Sequence, residues 1–412
     1  MPRPRLLLLL PSTTYRAAAF VAAARRLGAD LTVASDHVSV FADAQPDNFL
    51  ALDFAQAERA AEQAAAFHAN YPVTGIFAGD DDTVVVAAHI ARALGLPYTT
   101  VDAALAARDK HRQRVLLRAA GVPVPDFALV ALDDDLEARA REAPYPCVLK
   151  PLRLAASRGV IRANGPAEFV AAARRIGRIL QMPDVPREGA DALLVEAFVP
   201  GPEVALEGLL DGGRLQVLAL FDKPDPLDGP FFEETIYVTP SRLSEEAQQA
   251  IADCSQAAAR ALGLTSGPVH GELRFNERGP WLIELAARPI GGRCGAVLRF
   301  GVDAEPLSLE ALHLHQALGM PTAGVTREPR AAAVMMIPVP RGGTLRELRG
   351  IEAARAVAHV EDVVITAHRG QELVPLPEGA SYPGFIFARA ADPETAVRAV
   401  RAAHAHLAFD LT

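Results

Sequence analysis

Two periods of apolar spacing alternate along the chain, and the switches between them divide it. In the first hundred residues, short apolar runs alternate with stretches of helical spacing. Residues 5–10 and 73–78 are apolar at nearly every position, as strands buried on both faces of a parallel sheet require. A third strand is predicted at 31–35. Helices are predicted over 15–27, ended by Gly28, over about 56–70, and over 83–94, ended by Gly95. This is a doubly wound α/β unit. Ligands of such sheets gather at the carboxyl ends of the strands, where Ser12-Thr13-Thr14 and Asp80-Asp81-Asp82 stand. The acidic triplet reads first as a helix N-cap, with a substrate ammonium group as the second and compatible reading. Glycines of dinucleotide-fingerprint spacing are missing after the first strand, which disfavours NAD.

Past residue 108 the pattern changes. An amphipathic helix is predicted over 110–120, ended by Gly121, then strands at 127–131 and 147–150. Lys150 closes an apolar strand, where a cation is costly unless it meets an anion or snorkels to solvent. The loop of small and polar residues at 155–159 can offer N–H groups and the Ser157 hydroxyl to phosphate, although it is no P-loop. A strand at 193–195 leaves through Pro200-Gly201-Pro202, a hinge whose backbone could meet an adenine edge while Glu203 reaches a ribose. Strands at 204–210 and 215–221 flank a turn. Lys223, Glu233 and Glu234 border a long loop, where loop chemistry and a site role are equally open. A helix is predicted over 244–262.

The alternation at 268–292 predicts a β-hairpin turning at Asn276–Gly279. A three-residue loop would pair Phe275 with Trp281, Leu273 with Ile283, and Glu272 with Glu284. One face, Leu273, Phe275, Trp281, Ile283 and Leu285, is then apolar. The other sets two carboxylates side by side. Like charges directly opposed are destabilising unless a cation lies between them. Oxygen-only ligation points to Mg²⁺ or Mn²⁺ shared with substrate phosphates. The competing reading is a solvated strand face on which one Glu pairs with Arg274. Arg288 adds a fixed positive charge just beyond. After a helix predicted over 303–318, the pattern returns to strands at 331–338, 360–367 and 385–390 and a helix at 393–407.

Composition narrows the partners. The chain has 412 residues, half of them apolar, with a net charge of −9 and scattered basic residues, so no nucleic-acid surface is expected. No membrane span is expected, because no apolar run approaches 18 residues. The three cysteines lie far apart and are expected to be reduced, buried thiols of a cytoplasmic protein.

In order and spacing, four groups of residues resemble the ATP-grasp superfamily. They are Asp109-Lys110 with AGVPVP after it, Tyr145-Pro146 through Lys150-Pro151 with Ser157-Arg158-Gly159, Glu196 through Glu203, and Glu272, Glu284 and Arg288. The resemblance covers nearly the whole chain. It implies an N-terminal α/β domain at 1–108, a small lobe at 109–190, a large lobe at 191–325 and a C-terminal α+β lid at 326–412. It implies that Lys110 and Lys150 bind ATP phosphates under a mobile loop carrying Ser157. Glu196 and Val199 are similar to the adenine-contacting segment, and Glu203 to the ribose acid. Glu272 and Glu284 are similar to the magnesium ligands, and Arg288 to the residue that stabilises the transferring phosphoryl group. Many members place Asn two residues after the second Glu; Ala286 stands there, which puts a third protein ligand in doubt.

Glu284-Leu285-Ala286-Ala287-Arg288 with following glycines, His270 and the AASRGV loop are similar to the L-amino-acid ligase branch. That branch implies a carboxylate–amine ligase acting on small molecules, with His270 near the substrate and a dipeptide as product. A biotin-carboxylase-like enzyme and a non-catalytic ATP-binding regulator are the competing classes. Similar proteins are commonly homodimers, yet no helix here displays an unpaired apolar stripe.

Overall fold

The computed structural model describes residues 3–12, 14, 16–39, 41–301 and 306–412. The strand Arg5–Leu9 is buried from Leu6 onward and lies inside a parallel sheet, between Asp30–Ser35 and Gly75–Ala78, with Phe49–Ala51 at the edge. Helices Ala17–Arg26, Ala57–Asn70 and Asp81–Leu94 cover its faces. The last of these begins two residues before the expected start. A further helix, Val101–Arg108, follows, with the Thr100 hydroxyl accepting from the Ala103 N–H. Its sequence, VDAALAAR, has small residues on every side and so displays no apolar stripe.

The small lobe is an antiparallel sheet in the order Phe127–Ala131, Ala192–Ala197, Cys147–Pro151, Ile161–Ala163. Phe169 and Ile176 of the helix Pro166–Leu180 pack on Leu149 and Leu193 to form its core.

The large sheet has eight strands. It begins with the hairpin strands Gly279–Ala286 and Gly267–Asn276, then Glu203–Asp211, Arg214–Asp222 and Ile236–Thr239, and continues through Ala331–Met336, Gly384–Ala390 and Val360–Ile365. The C-terminal strands therefore extend the sheet that carries the hairpin, with the helix Pro393–His404 packed against them. The helix expected over 303–318 is described from Leu309 to Ala317, with the Ser308 hydroxyl accepting from Ala311; residues 302–305 lie outside the described residues. Among the described residues, no helix is long and apolar enough to cross a membrane.

The hairpin departs from the expected register and returns to it. Asn276 pairs with Gly279, so the loop has two residues rather than three, and Arg274 opposes Trp281. The Asn276 side chain accepts from the Arg278 N–H at 3.0 Å and from the Trp281 indole at 3.2 Å, which tightens the turn. A bulge between Glu272 and Leu273 then restores Glu272 opposite Glu284. The buried face is Leu273, Leu282 and Leu285, not the Trp281–Ile283 set that strict alternation gives. Each of these leucines contributes about 1.5–3 kcal/mol by its burial.

Candidate functional site

A single cavity of about 720 Å³ opens between the α/β unit, the two lobes and the C-terminal segment. Lys110, Lys150, Ser157, Glu196, Val199, Glu203, His270, Glu272, Glu284 and Arg288 all line it. Residues spread over 179 positions of sequence are thus brought to one wall-to-wall site.

The helix Lys110–Ala119 organises one end of the cavity. Its start is capped by Asp109, which accepts from the Arg112 N–H. Lys110, Gln113, Arg114 and Leu117 form the buried face. Lys110 Nζ lies 3.1 Å from Glu284 and donates to the Leu154 carbonyl at 2.9 Å, which ties the 152–159 loop to the hairpin. Gln113 bonds the Leu285 N–H at 3.0 Å and its carbonyl at 2.9 Å, satisfying the edge strand. Arg114 donates to Glu196 at 2.5 Å and to the Ile283 carbonyl. Arg114 was not a candidate from sequence, although it stands four residues after Lys110 and therefore on the same helix face.

Glu196 is buried between Arg114 and Lys150, whose Nζ is 2.6 Å away. Its carboxylate is committed to placing Lys150, so any base contact from this segment comes from backbone. Burial raises the Glu196 pKa, but Arg114 and Lys150 outweigh it and hold the group below its ordinary 4.5. This ion pair stabilises the fold fully above pH 4.5, and the stabilisation is lost as pH falls through the lower folded-state value. Glu196→Gln is therefore expected to lower the thermal midpoint near neutral pH and to flatten its decline in acid. Thermal melts at stepped pH check this.

Lys223 is the centre of a second buried cluster. Its ammonium lies 2.7 Å from Glu203, 2.5 Å from Glu234 and 3.4 Å from Glu272. Oxygens of these three acids approach within 4.8 Å of one another. Burial disfavours the Lys223 charge, but the carboxylates reverse this and hold it well above its ordinary value. Glu234 is pushed by burial up to about 7. Glu203 also takes Arg274 Nε at 3.0 Å, so a ribose hydroxyl would share oxygens with two cations. Arg274 pairs with Glu203 and not with the hairpin carboxylates, so the expected alternative of an Arg274 pair on the hairpin face is not seen. The Val199 carbonyl is likewise used, by Arg274 at 2.9 Å.

Glu272 is the loosest partner of Lys223 and the most exposed of the three acids, at 21% against 9% and 15%. With Glu284 opposite it, an all-oxygen pair faces the cavity beside Lys110 and Lys223. Such donors fit a hard divalent cation. Val148, Leu154, Val199, Leu227 and Ile283 line the cavity beside the lysines, a slot suited to a flat base with an anionic tail.

At the far end, Arg288 Nε lies 2.7 Å from Asp81 and Nη1 donates to the Pro289 carbonyl at 3.0 Å. Burial raises the Asp81 pKa, but Arg288 outweighs it and keeps the group below its ordinary value. Asp80 accepts from the Thr14 hydroxyl at 3.2 Å and is raised by burial. Neither side chain caps the helix; Asp80 and Asp81 are cavity walls, and Asp82 pairs with Arg108 at 3.1 Å. Asp80 does occupy the N-cap position, with Asp81 and Asp82 in the first turn as expected, but it makes no side-chain cap bond, and the cavity-wall position is compatible with that cap. Ser12 turns away to Asp36, and Thr13 and Tyr15 lie outside the described residues. His270 spans from the Leu206 carbonyl (3.2 Å) to Glu272 (3.5 Å). Cys294 is buried and its thiol is pushed up by that burial, so it stays protonated.

The C-terminal segment closes the mouth. Thr366, Gln371, Ser381, Tyr382 and Phe385 line the cavity. Arg175 of the small lobe grips Glu378 through two bonds of 2.6 and 2.8 Å and lies 5.0 Å from the Phe231 ring. The Gly159 N–H donates to the Pro377 carbonyl at 2.9 Å. The loop carrying Ser157 is thus fastened across the opening. Ala156 and Ser157 both hold positive φ, near 55°, a conformation that side chains disfavour.

A sheet-backed cavity gripped by two lobes, with two lysines, opposed glutamates and an arginine, defines the ATP-grasp class, and the chain belongs to the ATP-grasp superfamily. Residues 143–297 match the ATP-grasp domain, 21–98 the ATP-grasp N-terminal domain, and 335–412 the L-amino acid ligase C-terminal domain 2. Within the superfamily it is similar to the L-amino acid ligase branch. The crystal structure of the L-amino acid ligase from Bacillus licheniformis superposes with a TM-score of 0.85 at 28% identity, covering all of both chains. Alanine–anticapsin ligase of Bacillus subtilis is 30% identical over 280 residues, 62% of this chain and 59% of the relative. Biotin carboxylase from Campylobacter jejuni shares the fold at 15% identity, with a TM-score of 0.67 over 100% of this chain and 92% of that one. The chain spans between 53% and 64% of the length of the first four curated relatives it matches.

Proposed function

We propose that this chain is an ATP-dependent carboxylate–amine ligase that joins an amino acid to a second amino acid or similar amine, forming a dipeptide. One observation carries the reading. A single cavity holds paired lysines for phosphates, opposed carboxylates for a divalent ion, and Arg288 with Asp80 and Asp81 at a polar end roomy enough for small zwitterions. The similarity to the L-amino acid ligase and to alanine–anticapsin ligase supports the same class.

The substrate carboxylate attacks the γ-phosphate of ATP, forming an acyl phosphate and ADP. The amine then attacks the acyl carbon, and phosphate leaves from the tetrahedral adduct. Phosphoryl transfer asks for alignment and charge neutralisation rather than a side-chain nucleophile. Lys110 and Lys150 orient the phosphates, and Arg288 meets the charge that develops on the phosphoryl group and then on the tetrahedral adduct. Glu272 and Glu284 would hold magnesium, which neutralises phosphate charge when bound. His270 orients Glu272 through the 3.5 Å contact. The three buried free thiols fit a reducing, cytoplasmic setting.

The test is isotopic. With carboxyl-oxygen-18 amino acids, one labelled oxygen is expected in each phosphate released with product. Unlabelled phosphate throughout would sink the acyl-phosphate route. Bicarbonate is the second substrate class, since biotin carboxylase shares the fold; turnover needing bicarbonate and biotin, without amino acids, would select it.

Water must be kept from the acyl phosphate. The Arg175–Glu378 fastening is placed to do this. Arg175→Ala is expected to raise the ratio of phosphate released to dipeptide formed several-fold, and the charge swap Arg175→Glu with Glu378→Arg to lower it again. An unchanged ratio in the single variant would remove the fastening from the mechanism.

A further inference from the structure

Glu207 stands in the middle of the strand Glu203–Asp211, inside the large sheet, and is fully buried. Apolar residues or glycine surround it along the strand, and it does not line the cavity. Burying a carboxyl in such a place is costly unless it makes a bond that matters. The bond it makes is to main chain: Oε2 accepts from the Ile290 N–H at 2.7 Å. Arg16, from the α/β unit, holds the same stretch from its carbonyl side. Arg16 Nη2 donates to the Ile290 carbonyl at 2.5 Å and lies 3.5 Å from the Pro289 carbonyl. The segment that begins at Arg288 is therefore gripped from two domains, and Arg288 Nη1 donates to one of the gripped carbonyls, that of Pro289. Behind the grip, Glu207 Oε1 lies 3.4 Å from Nε2 of His313, which is also buried and stacks on Phe77 at 5.5 Å. Burial pushes Glu207 up to about 8 and His313 down to about 3, which favours the uncharged form of each. A carboxamide keeps an oxygen in the place of Oε2 and can replace it as acceptor from the Ile290 N–H.

We propose that Glu207 is a positioning residue for phosphoryl transfer: with Arg16 it fixes the Pro289–Ile290 main chain and so aims the Arg288 guanidinium. This rests on the ligase reading only through the role of Arg288. A displacement of about 1 Å at a reacting group costs on the order of 100-fold in rate.

The test compares Glu207→Met, which removes the acceptor, with Glu207→Gln, which keeps it. Glu207→Met is expected to lower kcat roughly 10- to 100-fold, with the KM for ATP and nucleotide binding unchanged. Glu207→Gln should stay within about twofold of wild type, as a retained acceptor implies. In an Arg288→Ala background, Glu207→Met should cost nothing further, because the two act in series. An unchanged kcat in Glu207→Met, or an equal loss with and without Arg288, overturns the proposal. Should Glu207→Met not fold, Arg16→Met carries the same comparison from the carbonyl side, with the same overturning results. Wild-type turnover is measured alongside. Its absence with every amino acid would refute the ligase reading, whereas wild-type turnover with an unaltered Glu207→Met refutes only this proposal.

Discussion

Replacing Glu284 by alanine is expected to take amino-acid-dependent ADP release below detection. Two losses coincide in that variant. One is a carboxylate of the opposed pair, with Glu272 left alone before the cavity. The other is the counter-charge 3.1 Å from Lys110, whose other bond goes to the loop carbonyl of Leu154. The two roles separate in Glu284→Gln. That variant keeps a polar partner for Lys110 but weakens oxygen ligation of a hard cation. Turnover regained at high magnesium identifies Glu284 as a metal ligand. Turnover that stays low at any magnesium concentration assigns it to Lys110 instead. Retained activity in Glu284→Ala would contradict both.

Arg288→Ala should lower kcat by roughly 10²–10³-fold while the affinity for ATP barely moves. That is the range for losing one preorganised charge donor at a developing anion. Its Nε is held by Asp81 and its Nη1 by the Pro289 carbonyl, so the fork is oriented before substrate arrives. Nη2 makes no hydrogen bond among the described residues and remains for an anion in the cavity. Arg288→Lys should restore little, because a point charge lacks the planar fork that Asp81 and Pro289 orient. Steady-state kinetics with ATP varied at saturating amino acids provide the check. A loss confined to the KM for ATP would place Arg288 in ground-state binding.

Much of the Lys110–Lys150 end of the cavity was legible because it lies in short stretches whose chemistry is local. Lys150 closing an apolar strand and the small-residue loop after it needed no partner to be noticed. The opposed glutamates were read correctly through two errors that cancel. The turn has two residues instead of three, and a bulge after Glu272 restores the pair. The extra residue of the bulge is Ile283, and the run 281–286 around it holds no glycine or proline to mark it. Contacts between distant elements were not legible. Asp81 meets Arg288 across 207 positions, and Arg175 meets Glu378 across 203. Hydrophobic period places each on its own element and says nothing of which elements adjoin. For that reason the acidic triplet showed its cap position in the sequence but not its partner Arg288. Lys223 stood in a loop-like run of Asp, Pro and Gly that disguised a fully paired ammonium. Glu207 interrupts an apolar strand, which was a usable signal, because a lone acid at such a position must have a buried partner.

The measurement that tests the central claim most directly is phosphate release with magnesium and ATP against every proteinogenic amino acid, singly and in pairs, with mass spectrometry of the products. The account predicts release that requires particular amino acids and yields an adduct lighter than the two substrates by one water. Phosphate release with no such adduct under any pair, or no release at all, would contradict it.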